Sequence, residues 1–202
     1  DQLASLVSLM RMQITQGDVG AAEAAAGNWV EAHADLKVPL QLAKVFSAAD
    51  QIDPALRWAK RIEGDEHHPQ RQEAIRFQAD LELEDGLKTG SRQRLTAACR
   101  HFETLLQGDP KNVALLNNLA WITTIELNDL NAGLGYAERI RSASTDQPLS
   151  TPVVDTIVEV YRRNGRLEEA QQLVTGQLAK DPDSALMELQ SGWLALEVDK
   201  AD

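Results

Sequence analysis

The stretch PVVDTIVEVYRRNGRLEEAQQLVTGQLAKDP, residues 152–182, decides the fold because it reads as one helix, a tight turn and a second helix. Asn164 and Gly165 interrupt an apolar pattern with a residue pair that tolerates left-handed backbone. The helical period restarts at once near Leu167, and Pro182 ends it because proline disfavours helical geometry in the residue before it. The stretch therefore predicts two antiparallel helices.

Four weaker copies of this pattern precede it. Small residues that let two helices approach closely recur 33, 43, 35 and 37 residues apart, at Ala22, Ala55, Ala98, Gly133 and Ala170. Such periods indicate a repeat array in which neighbouring units share a continuous core. We predict an all-α fold with a single array over residues 1–202. Its units lie at approximately 3–35, 36–69, 70–112, 113–150 and 151–184, and a capping helix follows at 184–198.

The pattern resembles the tetratricopeptide repeat (TPR). The first-helix packing sites of that family fall on Val154, Ile157, Val158 and Tyr161, and its second-helix sites fall on Ala170 and Val174. Gln177 departs from the family, which usually has alanine there. The resemblance implies a right-handed α-solenoid superhelix of about five helix pairs, whose first helices line a concave groove where partners dock. The stretch LLNNLAW resembles bacterial multi-repeat proteins, some of them linked to envelope and polysaccharide export.

Composition excludes several classes of function. A formal net charge of −11 and a pI near 4.8 argue against nucleic acid or an anionic membrane as partner, because both need clustered cations. The single Cys99 cannot form an internal disulfide, and no apolar run is long enough for a membrane span. Because Asp1 leads directly into a helical pattern, we expect an excised fragment or a processed form. The compartment stays open between bacterial cytoplasm and periplasm.

Several joints of the array carry their own predictions. Ala79 and Ala98 are too far apart for a standard unit, which predicts an insertion of about seven residues around residues 86–90. Asp53 is predicted to cap a helix before Pro54, and Asn128 to form a left-handed turn. Gly133 is expected to cost its helix some stability. In the terminal stretch the predicted inward residues are Leu186, Leu189, Trp193, Leu194 and Leu196, which would cover the last repeat.

Candidate chemical groups are few. Adjacent His67 and His68 point to different sides of the chain, whereas metal ligands on a helix stand three or four residues apart. Cys99 falls in the middle of a predicted helix, where a free cysteine packs as a small hydrophobe. Acidic pairs such as Glu168 and Glu169 read as solvated helix faces. We therefore expect no catalytic residue, no metal ligand and no cofactor.

The predicted binding surface rests on the groove positions that the resemblance assigns to the first helices. The partner-binding candidates are Lys37, Gln41, Lys44, Asn117, Asn118, Trp121 and Glu159. Further groove positions fall on Ser8, Arg11, Arg71, Gln78, Asp155, Thr156 and Arg162. Early positions are mainly basic and late ones mainly acidic, so a partner with the opposite order of charges would be steered into one orientation. Asn118 matches an asparagine that chaperone-binding relatives use on a peptide carboxylate, but Pro152 and Thr156 replace the rest of that clamp.

Two functions of different classes are compatible with this sequence. The first is a non-catalytic scaffold that binds another protein, a peptide or a helix, in the groove. The second is a structural unit that associates with its own copies, an accessory unit of envelope or polysaccharide export, or the regulatory portion of a larger enzyme. The asparagines could instead bridge neighbouring helices, and Trp121 could instead pack between repeats.

Overall fold

The computed structural model describes residues 2–33, 38–144 and 148–201. Within these ranges the chain is helical and contains no strand. The helices are α1 (Gln2–Thr15), α2 (Val19–Ala32), α3 (Pro39–Ser47), α4 (Ile52–Glu63), α5 (Arg71–Thr89), α6 (Arg92–Gly108), α7 (Val113–Trp121), α8 (Leu130–Ala143), α9 (Thr151–Arg163), α10 (Leu167–Leu178) and α11 (Ala185–Ala201). A π-helical segment, Ile122–Glu126, continues α7. The chain forms two compact units, Asp1–His101 and Phe102–Asp202.

In the first unit consecutive helices pack side by side. α1 packs on α2, α3 on α4 and α4 on α5, while α1 also contacts α3. Gly17, at φ +83°, turns the chain between α1 and α2, and the Asp18 carboxylate caps α2 by accepting from the Ala21 amide at 2.9 Å. The core is built from small and large apolar side chains in alternation: Leu6, Met10, Ala22, Ala26, Leu42, Ala43, Phe46, Ala55, Trp58, Ala59 and Leu81.

The joint between α5 and α6 differs from the prediction. The insertion around residues 86–90 was expected to enlarge the turn, but α5 continues to Thr89 and α6 begins at Arg92. The extra residues lengthen the two helices, and Gly90 alone turns the chain at φ +67°. Gly86 permits this extension, because a Cβ at that position would lie 2.8 Å from Leu95 Cγ on α6.

The start of α4 also differs from the prediction. The helix begins at Ile52 after a left-handed Asp50 at φ +57°, so Asp53 lies inside the first turn and is not the cap. Pro54 remains compatible with the helix there, since the amide nitrogens of the first turn have no intrahelical partner. The Asp53 carboxylate forms an ion pair with Arg94 of α6.

The second unit is built in two layers. α7 packs on α8 and α9 packs on α10, while α7 contacts α9 and α9 contacts α11. The first helices α7, α9 and α11 thus form one layer, and the second helices α8 and α10 form the other. Two predicted turns are confirmed: Asn128 is left-handed at φ +53°, and Gly165 is left-handed at φ +73° between α9 and α10.

α11 packs with a different side from the one predicted. Leu194 is buried as predicted, together with Met187 and Gln190, whereas the other predicted inward residues, Leu186, Leu189, Trp193 and Leu196, are exposed. Both sets share the helical spacing, so periodicity could not choose between them. Polar contacts with α9 accompany the observed rotation, because Gln190 bonds to Asp155 and Glu197 to Arg162.

Candidate functional site

The candidates of the first unit lie on α3. Gln41 and Lys44 are exposed there, and Lys44 Nζ lies 2.8 Å from Glu73 Oε1 of α5. Lys37 lies outside the described residues. Glu73 compensates the charge of Lys44. The side-chain amide of Gln41 adds an uncharged donor and acceptor to the same surface.

Other predicted groove positions of the first unit are engaged within the fold. Gln78 is buried, and its amide donates to the Ala74 carbonyl at 3.3 Å and to Glu63 Oε2 at 3.4 Å. Arg71 Nε donates to the Glu63 carbonyl at 3.1 Å. The prediction that Gln78 faces a partner is therefore wrong, since its polar atoms already join α4 to α5.

The candidates of the second unit begin on α7. Asn117, Asn118 and Trp121 are each partly buried. Asn117 Oδ1 is buried and accepts no hydrogen bond from the residues that the structure describes. We call Asn118 and Trp121 together the α7 surface. Each of these two residues is partly exposed to solvent.

The π-helical segment holds Trp121 at the end of α7. The buried Thr123 Oγ1 donates to the Leu119 carbonyl at 2.6 Å, and Thr124 is fully buried against Gly133 of α8. One extra residue per turn rotates the later positions of the helix by about 100°. The segment thereby turns Thr123 and Thr124 inward while Trp121 stays in the α7 register. The pair of β-branched threonines was the available sequence signal, and the prediction missed it.

Glu159 on α9 is bound by two arginines. Its carboxylate accepts from Arg162 Nη2 at 2.7 Å and from Arg163 Nε at 2.6 Å. Burial favours the neutral acid, but these bonds outweigh burial and hold the pKa of Glu159 below its ordinary value. The predicted acidic character of this position is thus locally compensated. The neighbouring Thr156, predicted to face the groove, is buried and donates to the Pro152 carbonyl at 3.2 Å.

α11 engages the remaining groove positions of α9. Gln190 Nε2 donates to Asp155 Oδ1 at 2.7 Å, and Arg162 pairs with Glu197. Burial raises the pKa of Asp155, an effect that the Gln190 bond only partly offsets. The second unit's candidates Asn118, Trp121 and Glu159 lie on adjacent helices of the same layer, because α7 and α9 pack side by side. The structure brings Gln41 and Lys44 together separately, on α3.

Comparison with known proteins identifies the fold. No protein-family model and no curated protein matches the chain. A tetratricopeptide repeat protein from Parabacteroides merdae is similar in structure, with a TM-score of 0.64 and 14% sequence identity. The match covers 98% of this chain and 73% of the Parabacteroides chain. A thermophilic TPR protein from Thermus thermophilus matches 96% of this chain and 98% of its own, with a TM-score of 0.55 and 14% identity. The chain has a TPR fold. The predicted resemblance and the all-α class of helix pairs are confirmed, and this fold commonly mediates protein–protein interaction.

Polar bonds join successive second helices of the TPR fold in each unit, and sequence reasoning missed them. In the first unit Glu23 accepts from Arg57 Nη2 at 2.8 Å, and Asp53 pairs with Arg94. In the second unit Tyr136 Oη donates to Glu103 Oε1 at 2.6 Å, and Glu138 pairs with Arg166. Partners separated by roughly one repeat length in sequence were the available signal. These bonds connect the second helices within each unit, and the candidates lie on first helices.

One titratable cluster lies inside the first unit. His101 Nδ1 is 2.8 Å from Glu82 Oε2 on α5, and His101 Nε2 is 3.7 Å from Glu63 Oε2 on α4. Burial opposes the charged imidazole, but the bond and charge of Glu82, with the charge of Glu63, outweigh it and raise the pKa of His101. The cluster joins three helices of the TPR fold.

The other chemical candidates of the TPR fold are engaged in local structure. His68 Nδ1 accepts from the Gln70 amide at 3.1 Å, and Cys99 is buried as predicted. Across residues 2–33, 38–144 and 148–198, no group of three or more His, Cys, Asp or Glu side chains is placed to hold a metal ion. None of the helices in the described ranges is both long and apolar enough to cross a bilayer.

Proposed function

We propose that the chain is a non-catalytic scaffold whose α7 surface binds an extended peptide or a helix of another protein. One observation carries the proposal: Trp121 stands partly exposed on a first helix, at the junction with a buried π-helical segment. A large aromatic held by a rigid support loses little conformational freedom on binding, which makes it an effective anchor. The acidic net charge of −11 also favours a protein over a nucleic acid as partner.

Trp121 and Asn118 have different roles in this proposal. The Trp121 ring supplies apolar contact area for a partner side chain, and its N–H supplies one donor. The Asn118 amide can donate to and accept from a peptide backbone, which satisfies main-chain groups without selecting a sequence. Asn117 has no direct contact in this proposal, because its Oδ1 is buried and has no hydrogen-bond partner among the described residues.

The charged candidates contribute less to this surface. Glu159 is compensated by Arg162 and Arg163, and Lys44 is compensated by Glu73. Charge steering by those residues is therefore weak, and binding rests on apolar contact and on amide hydrogen bonds. Gln41 and Lys44 form a separate surface on α3 that we propose as a secondary contact.

Peptide selection followed by affinity measurement tests the proposal. Displayed random peptides are selected on the full chain, and the dissociation constants of the best sequences are measured by fluorescence anisotropy. Trp121→Ala is expected to weaken binding by at least ~30-fold, the effect of truncating an aromatic anchor. Asn118→Ala is expected to weaken it by about 5–10-fold, the loss of one hydrogen bond.

The second-helix layer offers matched controls. Tyr136→Ala removes a partly buried aromatic from α8, and Gln172→Ala removes an exposed amide from α10. Both controls should leave the dissociation constant within about twofold. If Trp121→Ala and Asn118→Ala bind the selected peptides as tightly as the wild type does, the α7 surface is not the binding site.

A further inference from the structure

The outward side of α11 carries a stripe of large apolar side chains. Leu186 is 38% exposed, Leu189 50%, Trp193 46% and Leu196 59%. Large contiguous apolar patches on a protein surface mark interaction sites, because exposed apolar area lowers solubility. This stripe therefore has the composition of a covered surface.

The stripe is large enough for a stable contact. At roughly 200 Å² for each of the four large side chains, about half exposed, it leaves roughly 400 Å² of apolar surface in water. A standard protein interface buries about 800 Å² on each partner, of which somewhat more than half is apolar. The α11 stripe supplies most of that apolar share.

A preformed apolar cavity lies on the first helix pair. The cavity between α1 and α2 has a volume of about 610 Å³, and its apolar lining includes Leu9, Ala25 and Trp29. The Trp29 ring stacks on the His33 ring with centroids 4.3 Å apart. His33 in turn bonds to the Trp29 carbonyl at 2.8 Å and to Gln2 Oε1 at 3.0 Å. These contacts hold the wall of the cavity in place.

One row of exposed residues on α1 can be aligned with the α11 stripe. The exposed residues of α1 include positions 2, 5, 9 and 12, and those of α11 include 186, 189, 193 and 196. Large side chains dominate the α11 set, whereas the α1–α2 side is concave and lined by alanines as well as leucines. Bulky groups on one helix and a cavity on the other satisfy the requirement for interdigitated packing.

We propose that α11 of one copy docks into the α1–α2 cavity of a second copy, so that the chain assembles head to tail. The contact repeats a pattern already present in each unit, where first helices pack on first helices in α1 with α3, α7 with α9, and α9 with α11. In the proposed arrangement the two helices run parallel and Trp193 lies against Leu9. Such a heterologous interface joins two different surfaces, so each copy keeps one free end.

Light scattering with two complementary variants tests this assembly. Trp193→Glu disables the stripe and Leu9→Glu disables the cavity; both positions are exposed, so both variants should keep the wild-type circular dichroism spectrum. We expect the wild-type mass to rise with concentration and each variant to stay monomeric, with association at least ~30-fold weaker. An equimolar mixture should form dimers, because the intact stripe of one variant meets the intact cavity of the other.

Leu87→Glu is the matched control, because Leu87 on α5 is 43% exposed and lies outside both surfaces. It should associate as the wild type does. A wild-type chain that stays monomeric at every concentration overturns the proposal. A Leu9→Glu variant that still dimerises also overturns it, because that result would indicate symmetric pairing of two α11 stripes. A mixture of the two variants that contains only monomers overturns it as well.

Discussion

Gly133→Ala should destabilise the protein, although helix propensity alone predicts the opposite. Gly133 lies inside α8, where replacing glycine by alanine usually stabilises a helix by up to about 1 kcal/mol. In this fold the added Cβ would lie 1.8 Å from Thr124 Oγ1, 3.1 Å from Thr124 Cβ and 3.3 Å from the Ala120 carbonyl oxygen. The first distance is far below van der Waals contact, so the Thr124 side chain, α8 or the π-helical segment must move.

The size of the effect is the difference between two opposing contributions. Overpacking in a well-packed core costs typically 1–3 kcal/mol, and Thr124 is fully buried. After subtraction of the propensity gain, we expect a net loss of about 2 kcal/mol at most and about 1 kcal/mol as a central value. For a chain of this size about 1 kcal/mol lowers the Tm by about 2–4 °C.

Urea denaturation followed by far-UV circular dichroism measures this loss, and the same helix provides the control. Gly135 is exposed on α8 with nothing within 4 Å of an added Cβ, so Gly135→Ala should gain about 0.5–1 kcal/mol. Thr124→Ala removes the obstructing hydroxyl, so Gly133→Ala should cost less in that background by at least about 0.5 kcal/mol. If Gly133→Ala stabilises the chain as much as Gly135→Ala does, the close packing of α8 on the π-helical segment is refuted.

Two further predictions concern pH and backbone. Because the pKa of His101 is raised, its ion pairs contribute their full stabilisation below pH ~6.5, and this stabilisation is lost as pH rises through the folded-state pKa. The free energy of unfolding of the wild type should therefore exceed that of His101→Gln by less in alkaline than in acidic buffer. A difference that grows with pH would contradict the ion pairs. The backbone of Asn128 is left-handed, so Asn128→Val should lower the free energy of unfolding by about 1–2 kcal/mol in urea denaturation. Asn128→Gly should stay within about 0.5 kcal/mol of wild type. Equal stability of the two variants would contradict the turn.

The helix pairs were predictable from the sequence because their signals are local. Turn residues such as Asn128 and Gly165 and the apolar periods around them act within a few residues, and the structure reproduces them. The extension of α5 and the rotation of α11 were not predictable in that way. Gly86 reads as a turn residue in isolation, and only its contact with Leu95 shows why it lies inside a helix. For α11, two stripes with equal spacing compete, and contacts with α9 distinguish them.

The candidate site was predictable at the level of the helix face but not of the side-chain environment. Asn118 and Trp121 are partly exposed at positions that the family resemblance assigns to the groove. Thr156 and Gln78 occupy positions assigned in the same way, yet both are buried, because neighbouring helices approach closely there. The charges of Lys44 and Glu159 are paired with residues that the repeat spacing does not reveal. Sequence position alone therefore overstates the charge of the surface.

Hydrogen–deuterium exchange in the presence of a selected peptide tests the central claim most directly, because it maps binding without a substitution. The amides of each helix are compared with and without saturating peptide. We predict slower exchange in α7 and the π-helical segment, around Asn118 and Trp121, with α8 and α10 unchanged. Protection confined to α8 or α10 would place the partner on the second-helix layer and contradict the proposed binding surface.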